Sequence, residues 1–199
     1  PAEPLLRIEA GMHTASVRRI ATDAQGRWAV TASDDKTARV WDVATGRLQQ
    51  VLRPPIAPGN EGKLNAVALS PDGAVVAAAG WTGWDWQRQA HIYLFDRTNG
   101  RLLQRLAGLP GVVIHMAYSP DGRHLAATLT GKNGVRVWNW RASAEPGAGT
   151  GFGASSYGAS FSRDGRLVVS CDDGQLRLYR VAGSGQPVLE PLATAKAPG

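Results

Sequence analysis

The sequence predicts an all-β chain of four repeated antiparallel sheets, and three observations carry that reading. A polar turn recurs as Asp23-Ala24-Gln25-Gly26, Ser70-Pro71-Asp72-Gly73, Ser119-Pro120-Asp121-Gly122 and Ser162-Arg163-Asp164-Gly165, its glycines 47, 49 and 43 residues apart. Each turn lies between short runs rich in β-branched, aromatic and small apolar residues that alternate with period two. No stretch keeps a helical period over two turns.

A period of this length suits four short strands per unit, the range of a propeller blade. The first unit reads as strands Val17–Thr22, Trp28–Ala32, Thr37–Asp42 and Arg47–Leu52, and its centre, Gly26–Asp42, is a hairpin closed by Asp34-Asp35-Lys36. The second reads as Leu64–Leu69, Ala74–Ala79, His91–Asp96 and Arg101–Leu106. In the third, Val112–Tyr118, His124–Leu129 and Gly134–Asn139 are clear, while Arg141–Gly153 is rich in Ala, Gly and Ser and reads as a loop or a degraded edge strand. The fourth gives Tyr157–Phe161, Leu167–Ser170, Gln175–Arg180 and Val188–Ala193. The repeats thus span approximately 11–53, 59–107, 108–153 and 154–195. Every third strand carries a large aromatic at one place: Trp41, Phe95, Trp138 and Tyr179.

Sheets stacked in this way expose edges unless the blades close a circle. Residues 4–10 precede the first unit as Arg101–Gly108 precedes the third, so they read as the outer strand of a preceding or closing blade. Val188–Ala193 competes for that place in a four-blade ring. The expectation is an incomplete ring, an excerpt of a longer propeller that needs further blades or self-association to close; a compact four-blade ring and an eight-blade dimer are the alternatives.

Composition narrows the function. The 43% apolar fraction is that of a folded globular chain. The net charge of +6 comes from basic residues scattered singly rather than in a stripe, which argues against nucleic acid as a partner. Cys171 is the only cysteine, so an intrachain disulfide is excluded and the compartment stays open, cytoplasmic or exported after loss of a leader. No run approaches the roughly 18 apolar residues of a membrane-spanning helix.

The chain resembles the WD-repeat β-propeller family. The resemblance rests on the Ser-Pro-Asp-Gly turns, Thr31-Ala32-Ser33-Asp34-Asp35-Lys36-Thr37, Val40-Trp41-Asp42 and Thr45-Gly46-Arg47. It implies a structural hydrogen-bond lock of His13, Thr31 or Ser33, Asp35 and Trp41, a non-catalytic scaffold for protein–protein contact, protein partners and no cofactor. Met12 stands where that family usually has Gly, and Phe95, Asn133 and Tyr179 depart from its pattern, so only the first unit carries the full set. The approach 59–63 and the insert 80–84 look like bacterial multi-repeat proteins whose propellers accompany a caspase-like peptidase domain, which implies the alternative of a sensory or regulatory arm. A small-ligand-binding propeller is a third reading.

Candidate sites are few. The Gly80–Gln89 insertion places Trp81, Trp84 and Trp86 between two strands, a candidate partner-binding cluster, against rings folded back onto the blade. His91, His115 and His124 have no metal-ligand spacing. Arg39, Arg136 and Arg177 recur at one place in the third strand, as stems covering the sheet. The Gly147–Gly158 tract lacks the Lys-Ser/Thr ending of a phosphate loop. The Ser-His-Asp trio of the first unit lacks an oxyanion-hole signature and is read as structural, so no enzyme is expected.

Overall fold

The structure is a computed structural model that describes residues 11–83, 90–142, 145–183 and 185–196. These residues form sixteen strands in four antiparallel four-stranded sheets, with a single 3-10 turn at Gly131–Asn133. Blade one holds β1 (Val17–Thr22), β2 (Trp28–Ser33), β3 (Ala38–Asp42) and β4 (Leu48–Leu52). Blade two holds β5 (Leu64–Leu69), β6 (Val75–Gly80), β7 (Ala90–Asp96) and β8 (Leu102–Leu109). Blade three holds β9 (Val113–Tyr118), β10 (His124–Leu129), β11 (Val135–Asn139) and β12 (Gly147–Gly149). Blade four holds β13 (Ser156–Phe161), β14 (Arg166–Cys171), β15 (Gln175–Ala182) and β16 (Val188–Lys196). The all-β propeller architecture expected from the repeat is therefore present.

Alternation along the strands sends successive side chains to opposite faces, and each face meets the next blade. Between blades one and two lie Val30, Ala32, Val40 and Leu52 against Val67, Leu69, Val76, Tyr93 and Phe95. The core between blades two and three is built on Ile92, Leu94, Leu106 and Met116 with Leu125, Leu129 and Trp138. Ala126, Val135, Val137 and Phe152 meet Leu167, Val169 and Tyr179 between blades three and four. The alanines of β5 and β6 are buried in the cores on the two faces of blade two; within that blade a Cβ at Gly80 would lie 2.4 Å from the Lys63 carbonyl oxygen, so no larger residue fits.

A bulge interrupts the first strand pair of every blade, at Val17/Arg19, Leu64/Ala66, Thr128/Leu129 and Ser156/Gly158. Bulges increase local twist, and their recurrence gives each blade the same propeller-like coil.

The inner strands pack in sequence, β1 on β5, β5 on β9 and β9 on β13, and the ring they begin is not closed. The first and last strands of the chain's arc are correspondingly open. Val17 and Ile20 on β1 are 52% and 63% exposed, and every residue of β16 except Leu189 is exposed. β16 pairs along its length with β15, so Val188–Ala193 belongs to blade four and the strand runs on to Lys196. The weak stretch of the third unit carries a three-residue strand, β12, paired with β11. Its first position takes glycine only, because a Cβ at Gly147 would meet the Pro187 carbonyl oxygen at 2.1 Å. The expected outer strand at 4–10 lies outside the described residues. No helix among the described residues is long and apolar enough to cross a membrane.

Candidate functional site

The densest polar cluster forms at one end of blade one. Asp35 sits in the β2–β3 turn, where Lys36 adopts φ 67° and Ser33 accepts a hydrogen bond from the Asp35 backbone N–H at 3.1 Å. The Asp35 carboxylate accepts from the Thr37 hydroxyl at 2.6 Å, the Thr37 N–H at 2.9 Å and the Thr14 N–H at 3.1 Å. Its Oδ2 lies 2.8 Å from His13 Nδ1, and His13 Nε2 lies 2.7 Å from Thr31 Oγ1. The Trp41 indole N–H donates to the same hydroxyl oxygen at 2.9 Å.

Thr31 and Trp41 share a sheet face because they lie on register-neighbouring pairs, Thr31↔Arg39 and Ala29↔Trp41. Of the two candidate hydroxyls, Thr31 meets the imidazole, while Ser33 is buried, donates to the Ala15 carbonyl at 3.2 Å and holds the turn. The His13 and Asp35 side chains are only 6% and 5% exposed. Burial pushes the Asp35 carboxyl up, but hydrogen bonds from Thr37, His13 and Thr14 outweigh it and hold the carboxyl below its ordinary value.

An aspartate, a histidine and a hydroxyl in line have the layout of a nucleophilic triad. Here the hydroxyl oxygen already accepts from an indole N–H, which occupies a lone pair that attack would need. It sits within the sheet, bonded to an imidazole that is itself buried, and the nearby pocket is lined by Thr14, Asp35, Lys36, Thr37, Arg39, Arg53 and Ile56.

The other blades lack the hydroxyl. By register, Ala78, Ala127 and Val169 take the place of Thr31. Trp138 keeps the place of Trp41, is fully buried, and its indole N–H has no hydrogen-bond partner among the described residues. Comparing the repeats column by column exposes this mismatch in the sequence alone.

The remaining candidates are dispersed. Of the tryptophan cluster, Trp81 is half-buried and its backbone is hydrogen-bonded to Lys63 and Gly62, while Trp84 and Trp86 lie outside the described residues. Burial lowers the pKa of His91, His115 and His124, and no group of three His, Cys, Asp or Glu that could hold a metal occurs among the described residues. Arg177 is buried, paired with Asp173 at 2.7 Å and stacked 4.4 Å from the Phe152 ring. Arg136 donates to the carbonyls of Asn133 and Val135, and Arg39 is 3% exposed. Cys171 is buried at the end of β14 and donates to the Ala154 carbonyl.

Comparison with known proteins places these features in a family. The family model "WD domain, G-beta repeat" matches residues 8–42, 100–139 and 153–180, skipping most of blade two, where Phe95 replaces the tryptophan. The chain is 29% identical to the small ribosomal subunit protein RACK1y of Oryza sativa over 78% of its own length and 44% of that protein. It is 30% identical to coronin-7 of Mus musculus over 73% of its length and 14% of that protein. An uncharacterised WD repeat-containing protein of Synechocystis is 27% identical over 57% of the chain and 29% of its own length. The chain thus spans less than half the length of each of these relatives.

Proposed function

Because the chain belongs to the WD domain, G-beta repeat family, we propose that it is a non-catalytic scaffold that presents loops of a rigid blade arc to protein partners. Its polar chemistry is used inside the blades: the His13–Asp35–Thr31–Trp41 set satisfies itself and acts as the lock that fixes the turn of blade one. That closed set is the observation that carries the reading, since the triad-like arrangement among the described residues has its His13 and Asp35 side chains buried and its hydroxyl oxygen already bonded to the Trp41 indole. Loops at blade ends, positioned by a stiff sheet stack, are where such a scaffold meets its partners. Trp81, Trp84 and Trp86 of the Gly80–Gln89 insertion are the side chains proposed for such contact.

A regulatory arm of a larger caspase-like peptidase polypeptide is the narrower alternative. It rests on the likeness of residues 59–63 and 80–84 to such proteins, and no relative reported above is named as a peptidase, so the general scaffold stands ahead of it. A small-ligand-binding propeller has less behind it, because no group of three His, Cys, Asp or Glu that could hold a metal occurs among the described residues.

The test is capture of protein partners by the purified biotinylated chain, followed by reconstitution from purified components and light scattering. A stoichiometric complex that survives a salt wash supports the scaffold. Absence of any such complex, or ester hydrolysis abolished by Thr31→Val in a folded chain, overturns it.

A further inference from the structure

The three cores between blades share one construction, which the strand register makes explicit. In the first, blade one presents Val30, Ala32, Ala38 and Val40, and blade two answers with Val67, Ala78 and the third-strand aromatic Phe95. In the second, the same columns of blade two are Ala77, Ala79, Ile92 and Leu94, and blade three answers with Met116, Ala127 and Trp138. Ala126, Val135 and Val137 of blade three meet Ala159, Val169 and Tyr179 of blade four in the third. Each interface thus joins one presenting face to one answering face.

At blades one and four, one face of each kind has no mate among the described residues. Blade four repeats the presenting columns as Val168, Ser170, Leu176 and Leu178. Their counterparts in the other three blades are fully buried, yet Leu176 is 41% exposed and the other three are half-buried. Blade one repeats the answering columns as Ile20, Thr31 and Trp41. Ile20 is 63% exposed, where Val67, Met116 and Ala159 at the same register are buried. The interior cores therefore specify what covers these two faces: each other.

A shallow cavity of about 210 Å³ on blade four marks the contact. Gly158, Ser160, Val168, Ser170 and Leu176 line it, with Ala159 and with His115, whose pKa burial lowers toward the neutral ring; no Asp, Glu, Lys or Arg takes part. Such a hollow accepts an apolar side chain and penalises a charged one. Ser160 and Val168 are a register pair, as Ala21 and Val30 are in blade one, and the latter pair belongs to the core that receives Val67. The side chain that takes the place of Val67 on blade four is accordingly an Ile20.

We propose that a second copy of this chain covers both faces: blade one of the second copy packs on blade four of the first with its Ile20 in the cavity, and its blade four covers blade one of the first in turn. A contact between unlike faces grows without limit unless it closes. Each chain supplies four blades, so two chains give a ring at the upper end of the roughly four to eight blades usual for propellers, and three would exceed it.

The test is molecular mass by analytical ultracentrifugation over roughly 1–300 μM chain, where transient interfaces titrate. At the dilute end the chain is the open arc, and the mass should rise from one copy to two and stop. Ile20→Glu and Leu176→Glu each place a charge in the contact and should weaken association at least about tenfold. Both positions are exposed in the single chain, so the thermal midpoint of the dilute variants should stay within a few degrees of the unaltered one. If either variant unfolds, Ile20→Ala and Leu176→Ala replace them, with an expected weakening of about three- to tenfold. Mixed in equal amounts, the two glutamate variants should pair again, because one keeps an intact blade four and the other an intact blade one; with one sound contact in place of two, that pair is weaker than the unaltered dimer. A chain that stays monomeric throughout leaves the faces to another polypeptide and overturns the pairing. So does growth past two copies, a glutamate variant that dimerises as the unaltered chain does, or a mixture that stays monomeric. None of these outcomes touches the scaffold reading, which rests on loops rather than on these sheet faces.

Discussion

Thr31 and Ala127 occupy one register position in two blades, and the difference between them is a single hydroxyl. In blade one that oxygen joins the Trp41 indole to His13. Thr31→Val keeps the shape but leaves the indole N–H and an imidazole nitrogen unpaired, so it should cost about 2 kcal/mol, read as a lower urea midpoint at unchanged slope. In blade three the complementary change should help. Ala127→Ser puts an acceptor where the buried Trp138 N–H has none, and should raise stability by about 1 kcal/mol in the same assay. A fall would show that the packed space around Ala127 does not admit the oxygen. The lock residues were legible in the sequence because the motif fixes their spacing within one unit. The pairing of Arg177 with Asp173 was not legible: the arginine reads as one more stem covering the sheet until the fold stacks it on Phe152 from the neighbouring blade.

At the scale of the element, the turns do most to set the fold. In Ser70-Pro71-Asp72-Gly73 the serine hydroxyl donates to the aspartate at 2.5 Å, and in the third unit the Ser119–Asp121 bond is 2.6 Å; Ser162 and Asp164 make the same bond. Gly73 and Gly122 follow with φ of 73° and 70°, a region that side chains disfavour. These local rules made strand positions readable to within a residue or two at most ends. They failed at β12, β8 and β16, whose extents depend on pairing with a neighbour rather than on their own composition. The turn carboxylates also set the acid response. Asp72, Asp121 and Asp164 all lie below their ordinary values when folded, Asp72 and Asp164 chiefly through the serine bond, Asp121 against an opposing effect of burial. Depressed folded pKa values stabilise above the unfolded value near about 3.9 and lose that contribution as pH falls through the folded value. The urea midpoint should therefore fall modestly from about pH 7 to 5, as the unfolded chain protonates His91, His115 and His124 whose folded pKa values burial lowers, and decline further between about pH 4 and 2, the second step less steep in Ser119→Ala, which removes one of the bonds that lower Asp121. A decline already complete by pH 5 would contradict this origin.

For the whole molecule, the open arc predicts unequal blades. Repeats that touch only their neighbours have stabilities close to a sum of local and interface contributions. Blades two and three are covered on both faces by apolar cores, whereas the described cores cover blades one and four on one face each. The burial of β6, entirely buried, against β16, mostly exposed, shows how far the two differ. Native-state hydrogen exchange should follow the same order, because amides in segments with few buried contacts open at lower free energy than those of the core. Amides of β6, β7, β10 and β11 should exchange slowest, near the global unfolding limit, and those of β1 and β16 fastest. Blade one holds the most extensive polar set, so its hairpin β2–β3 should exchange more slowly than β14–β15, where Val169 stands in for Thr31. Thr31→Val should erase that difference while leaving blades two and three unchanged. Uniform protection across all four blades, read by mass spectrometry of proteolytic fragments, would mean that the arc unfolds as one unit and that the interfaces, not the lock, decide its stability.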